Sequence, residues 1–368
     1  MPRIFEKAFF DDKIASIDDA KLSVASSSVL YGLSVYTVFP VVPTDAGPAA
    51  FRLEEHFNRL INSAKIIGID TFETNWDLQK FERVIRDLVH ANADALKGQR
   101  AFVRATVHVT GLVPGTKSRG LATLLSVFIY EAQPIMPQDG ARLKVSPWRR
   151  VSDVAIPSRA KVNGAYVNSV LAKQDAIESG YDDCVFLNSA GHVAELSAAN
   201  IFMVRDGALV TPDVSSDILE GITRKTVIEI AKDLGIPTIE RPIDMTELRE
   251  DLAALQPEEV AVLTLLRSRL SLTLTDTVGN TGSTGFAANP AIVFDSSIAS
   301  ISLPSLESSR GCLSRYDYRL PRLGALRLPA RTSAQNWRIF SRFALVLASE
   351  VAFPPRRPRD WAARFIEA

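Results

Sequence analysis

The chain has 368 residues, 46% of them hydrophobic and 23% charged, an ordinary globular composition with room for two domains of common size. Two cysteines exclude a disulfide framework, four scattered histidines lack zinc-ligand spacing, and the longest apolar run, residues 121–130, is too short to span a bilayer. The formal net charge of zero hides −7 over residues 1–260 and +7 over residues 261–368, where there are 14 arginines and no lysine.

The opening residues, Met1-Pro2-Arg3-Ile4-Phe5-Glu6, lack the plan of a signal peptide, so the expectation is a cytoplasmic protein. Residues 22–42 are strand-like, from Leu22-Ser23-Val24 to Val35-Tyr36-Thr37-Val38-Phe39, and run into a Pro- and Gly-bearing turn at 43–48. Leu53, Phe57, Leu60, Ile61 and Ala64 recur at helical spacing and predict a helix over 53–67, ended by Gly68. A second helix is predicted over 76–93, with Phe81, Val84, Ile85 and Leu88 on its apolar side. Residues 101–109 and 122–130, rich in Val, Phe and Thr, predict strands. Together these make a small N-terminal α+β domain over 1–130, and the polar stretch 131–140 predicts a linker.

A larger domain is expected over 141–260. It opens with a predicted strand at 142–148 and a helix at 164–179, the latter with Tyr166, Val170, Leu171 and Ile177 on its buried side and Gly180 as its stop. Two hairpins follow, one turning through 188–191 and one through Asp206-Gly207, a strong hairpin signal. A further helix then begins at Gly221-Ile222-Thr223 and stops at Gly235-Ile236-Pro237.

Three features of this domain carry chemistry. Lys161 sits among small residues at a helix entry. Glu195 ends a strand just before the small residues Ser197-Ala198-Ala199. Gly221-Ile222-Thr223 offers free backbone N–H groups at the positive end of a helix dipole, a natural phosphate site. An amine, an anion and a phosphate cradle are what pyridoxal phosphate needs. Taken singly, each is also what an ordinary solvated lysine, a structural glutamate or any helix start would look like.

Five ordered stretches sharpen this reading: residues 30–36, 51–60, 161–166, 194–202 and 219–224. As a set, over about residues 20–260, they resemble the fold-type IV pyridoxal-phosphate enzymes, specifically the branched-chain amino acid aminotransferases. The resemblance implies an α+β, two-domain fold like that of D-amino acid aminotransferase, with a small α/β domain and a larger mixed, β-barrel-like one. It implies transamination between an amino acid, a branched-chain L-amino acid above all, and a 2-oxo acid such as 2-oxoglutarate. Lys161 is then the Schiff-base lysine and shuttling acid/base, Glu195 faces the pyridine nitrogen and Tyr166 donates to the phenolic oxygen. Arg59, Ile222 and Thr223 hold the phosphate, while Tyr31, Arg104 and Tyr130 match substrate-pocket positions. The loop 110–115 matches one that reaches a neighbouring subunit, implying a homodimer or higher oligomer with no nucleic-acid or membrane partner. Tyr36-Thr37-Val38 stands where the family often has Phe-Glu-Gly, and Leu196-Ser197-Ala198-Ala199-Asn200 where it usually has Gly-Xaa-Gly-Glu-Asn. D-amino acid and (R)-amine aminotransferases and aminodeoxychorismate lyase share the scaffold and stay open.

After about residue 260 the resemblance stops. The shift to Arg, Ser, Leu and Pro without Lys over 261–368 is what a GC-rich gene read in the wrong frame would give, and an inactive remnant is then an outcome. An authentic extension and a basic arm for RNA are the alternatives, though Arg356-Arg357-Pro358-Arg359 is short for an arm.

Overall fold

The computed structural model describes residues 2–44, 47–97, 99–112, 115, 117–132 and 141–248, and the backbone of two short strands beyond them. The chain starts with β1 (Ile4–Phe10) and β2 (Lys13–Ser16), a hairpin the sequence pattern did not announce. A register shift between Ile4 and Ala8 of β1, against the strand it pairs with on its other side, breaks the period-two signal there. Residues 22–24, expected as strand, are irregular. The segment after them is instead a short helix, α1 (Ser27–Tyr31), closed by Gly32 in the left-handed region at φ 65°.

Then come β3 (Ser34–Val42), β4 (Ala49–Ala50), α2 (Leu53–Ile66), α3 (Thr71–Asn75), α4 (Leu78–Ala91), α5 (Ala93–Leu96), β5 (Ala101–Val109) and β6 (Thr123–Glu131). The six strands form one antiparallel sheet in the order β2-β1-β6-β5-β3-β4. Every residue of β3 is buried, because the strand is covered on both faces. Val35, Phe39 and Val41 pack into the core shared with α2 and α4. Tyr36 and Val38, on the opposite face, meet Phe102, Tyr130 and Tyr166. Helix α4 starts two residues later than expected, after the N-cap Asp77, whose carboxylate accepts from the Lys80 N–H at 2.7 Å. Its Phe81, Ile85 and Leu88 are fully buried, worth about 1.5–3 kcal/mol each.

The second unit contains β7 (Leu143–Arg149), α6 (Tyr166–Glu178), β8 (Asp183–Leu187), β9 (Val193–Leu196), β10 (Ala199–Arg205), β11 (Ala208–Thr211), α7 (Ile222–Asp233) and β12 (Thr238–Glu240). Strand β8 lies between β7 and β9, parallel to the first and antiparallel to the second. The β10–β11 hairpin turns on Asp206 and Gly207, both at positive φ, as a tight two-residue turn requires. The far edge of β10 pairs with β14 (Leu345–Ala348), which pairs in turn with β13 (Ile298–Ala299). Otherwise the expected atypical tail, 261–368, lies outside the described residues, as does most of the expected linker.

One expectation for α6 is overturned. Val170, Leu171 and Ile177 are 65%, 41% and 50% exposed, and the buried positions are Ser169, Ala172 and Ala176. Small side chains let the helix lie close on Cys184 and Phe186 of β8, which turns the larger aliphatics outward. Among the described residues no helix is long and apolar enough to cross a membrane, and no group of His, Cys, Asp and Glu could hold a metal.

Candidate active site

The loop between β7 and α6 fastens the two units together. Strand β4 covers β3 only at Val41 and Val42, so the start of β3 is free to take residues 161–163 along its edge. The Tyr36 N–H donates to the Lys161 carbonyl at 3.0 Å and the Asn163 N–H to the Ser34 carbonyl at 2.9 Å. Val162 bridges Val35, and Ala160 and Val162 sit in the core of the first unit. The Lys161 N–H donates to Ser63 Oγ of α2 at 3.0 Å. Gly32 and Gly164 touch backbone to backbone, so close that a Cβ on Gly32 would lie 3.0 Å from the Gly164 Cα. Gly32 also needs its positive φ, so no other residue fits that contact well.

Lys161 is thereby buried, at 3% exposure. Its Nζ lies 2.7 Å from the Tyr166 hydroxyl and over the rings of Tyr36 and Tyr166, at 4.8 and 5.0 Å. No described carboxylate is within ion-pairing distance of it. For Tyr166, burial alone would raise the phenol pKa, but the Lys161 charge and hydrogen bonds to Lys161 and Tyr36 outweigh it and lower the value.

Glu195, on β9, is 6% exposed. Its Oε1 meets Arg150 Nη2 at 2.8 Å, and its Oε2 accepts from Asn200 Nδ2 and the Leu219 N–H, each at 3.1 Å. Burial still pushes its pKa up, against Arg150, the Leu219 amide and Lys161. Asn200 also donates to the Leu219 carbonyl at 2.9 Å, so it ties the carboxylate to the segment that leads into α7. Ile222 and Thr223, both buried, open that helix, and no side chain caps its first turn.

Arg59 Nη2 donates to Thr37 Oγ1 at 3.3 Å, and Thr37 also meets His56 Nδ1 at 2.7 Å. Arg104 Nη2 donates to Asn163 Oδ1 at 2.6 Å while its guanidinium stacks 3.7 Å over the Tyr36 ring. Tyr130 packs on Phe102, with ring centroids 5.6 Å apart, at the edge of the same aromatic group. The fold thus gathers Lys161, Tyr166, Glu195, Arg104 and Tyr130, with Arg59 and the start of α7 tied in through Thr37 and Leu219. Tyr31 is different. It is 46% exposed, and its hydroxyl accepts from the Gly115 N–H at 2.9 Å.

Sequence reasoning missed Arg150, Asn163 and Ser63. Asn200 lay inside a quoted stretch and could have been picked out, whereas nothing in Trp148-Arg149-Arg150 marks the second arginine as the buried one. The thiol of Cys184 is pushed up to about 12 by burial and by Asp183, so it offers no nucleophile.

A buried amine held on a phenol, beside a buried acid, is equipment for amine chemistry, and the fold is that of the fold-type IV aminotransferases. The family described as amino-transferase class IV matches residues 34–255. A probable branched-chain-amino-acid aminotransferase of Synechocystis sp. is 38% identical over 251 residues, covering 67% of this chain and 80% of the relative. The structure of a branched-chain aminotransferase from Thermoproteus uzoniensis with norvaline superimposes with a TM-score of 0.63 at 34% identity, over 67% of this chain and 81% of that one. A branched-chain amino acid aminotransferase from Thermobaculum terrenum, in its PLP form, gives a TM-score of 0.59 at 28% identity, over 67% and 80%. The chain belongs to the class IV aminotransferases and is a transaminating enzyme.

Proposed function

We propose that this chain moves the amino group of a branched-chain L-amino acid to a 2-oxo acid such as 2-oxoglutarate, with pyridoxal phosphate as cofactor. The observation that carries the reading is the buried Lys161 amine, 2.7 Å from the Tyr166 hydroxyl and in the same field as buried Glu195. The relatives' names support the substrate, and the PLP form of a solved neighbour supports the cofactor.

The donor set fits the group. An ionised carboxylate accepts about four hydrogen bonds, and three are accounted for at Glu195, leaving room for a ring N–H. The uncapped start of α7 suits a phosphate. When bound, pyridoxal phosphate supplies a carbonyl that takes up the amino group and a ring that draws electron density from the substrate Cα. Lys161 would hold the cofactor and, once released, carry the proton from Cα on its Nζ. Tyr166 steadies that Nζ through the 2.7 Å contact and would face the cofactor's phenolic oxygen. Glu195 would hold a proton on the ring nitrogen, and Arg150 favours its ionised form. Arg59 and the amides of Ile222 and Thr223 would grip the phosphate. Arg104, Tyr130 and Tyr36 would wall the substrate side.

We also read the chain as a cytoplasmic homodimer or a multiple of it, with a small domain over 1–130, a linker over 131–140 and the cofactor domain from 141 to about 260. Val29, Leu30, Tyr31 and Leu112 form an exposed apolar group beside the loop that carries Gly115, which supports a subunit contact there. The test of function is a donor panel with 2-oxoglutarate as acceptor. Leucine, isoleucine and valine should turn over well ahead of D-alanine and (R)-amines; the reverse order would overturn the substrate assignment, and pyruvate release from aminodeoxychorismate would point to a lyase.

A further inference from the structure

Four charges join α2 to α7, one helix from each unit. Arg52 Nη1 donates to Glu55 Oε1 at 2.7 Å, and its Nη2 donates to Glu229 Oε2. Lys225 Nζ lies 2.9 Å from Glu55 Oε2 and 3.8 Å from Glu229 Oε1. Each group therefore meets two of opposite sign, in a closed ring. Exposed ion pairs contribute little, but Arg52 is not exposed: 9% of its side chain is accessible, and its backbone sits in the left-handed region at φ 42°. A buried guanidinium on a strained N-cap is held there by its partners.

The register of the ring shows what it aligns. One turn forward along α2, from Arg52 to Glu55, is one turn back along α7, from Glu229 to Lys225. The next turn of α2 carries Arg59, and the next turn back of α7 is its start at Gly221–Ile222. We infer that the Arg52–Glu55–Lys225–Glu229 ring is a positioning device: it holds the first turn of α7 level with Arg59, so that two elements from different units form one anion cup. Arg52 is its anchor, since it touches both helices and is the most buried of the four. This rests on the reading of Arg59, Ile222 and Thr223 as the phosphate grip.

The test compares a ligand that carries the phosphate with one that lacks it. The full chain, its Arg52→Met, Arg52→Lys and Glu229→Gln variants, and Arg59→Met are each titrated with pyridoxal 5'-phosphate and with pyridoxal. Arg52→Met should weaken the phosphorylated ligand about tenfold and pyridoxal less than twofold, with Arg52→Lys recovering part of the loss. Glu229→Gln, which keeps its shape, should move the ratio in the same direction and serves if Arg52→Met folds poorly. If these variants weaken both ligands equally, or neither, while Arg59→Met lowers the ratio, the phosphate grip stands and the ring is merely structural. If Arg59→Met leaves the ratio unchanged, the grip itself is wrong and the positioning role falls with it.

Discussion

Glu195 is costly to keep charged where it lies. Burial favours its neutral form, so its pKa is raised in the folded chain, and this group's contribution to stability is lost as the pH rises through the folded value. Arg150, Asn200 and the Leu219 amide oppose that cost by pairing with and hydrogen-bonding the carboxylate. Glu195→Gln should leave the cofactor bound but slow transamination by about 10²–10³, because the carboxylate proposed to face the cofactor ring is lost. Near-normal turnover would reject that role. Arg150→Met leaves a buried, uncompensated carboxylate and should lower the unfolding free energy by about 3–5 kcal/mol in urea titrations. Lys161 and Glu195 were legible because each stands in a recognisable run. Arg150 was not, because a buried cation is defined by the acid it meets across the fold, and that pairing leaves no local pattern.

Among the elements, α7 depends most on one small residue. Gly221 has φ −68°, so an alanine there meets no backbone penalty. Its Cβ would instead collide with Asn200 Oδ1. Because Asn200 supports Glu195, Gly221→Ala should destabilise the chain by about 1–3 kcal/mol and loosen the cofactor as well, read by melting and by cofactor titration. A variant that melts and binds like the parent would show that Asn200 can move aside freely. Periodicity served well where one face of an element meets a core of large side chains, as in α2 and α4. It failed at α6, where Ala172 and Ala176 face β8 and Val170 faces outward, since close packing there selects small residues over apolar ones. It also failed at β1, where a register shift interrupts the alternation.

For the whole molecule, two histidines of the first unit, buried His56 and half-buried His108, tie stability to pH. His56 is held well below its ordinary value by burial and then by the charges of Arg59, Lys161 and Arg52. His108 is pushed down to about 4 by burial and by Arg104. Both are uncharged in the folded chain, whereas an unfolded histidine takes up a proton near pH ~6.5. Below that pH the unfolded state binds more protons, and stability falls by up to about 1.4 kcal/mol per pH unit for each histidine. The urea midpoint should therefore hold above pH ~6.5 and decline from there toward pH ~4, with His108→Gln flattening part of the slope. A midpoint unchanged across that window would contradict it. At this scale the α+β, two-unit plan was readable from the ordered stretches, because each spans a turn or strand end that the site requires.

On the proposed function, Lys161 is the amine through which this aminotransferase holds its cofactor. Borohydride reduction of the cofactor-loaded chain, followed by peptide mapping, tests it most directly. The phosphopyridoxyl mass should appear on the peptide containing Lys161. Label on the peptide of Lys173 or Lys225 instead, or no label at all, would contradict it.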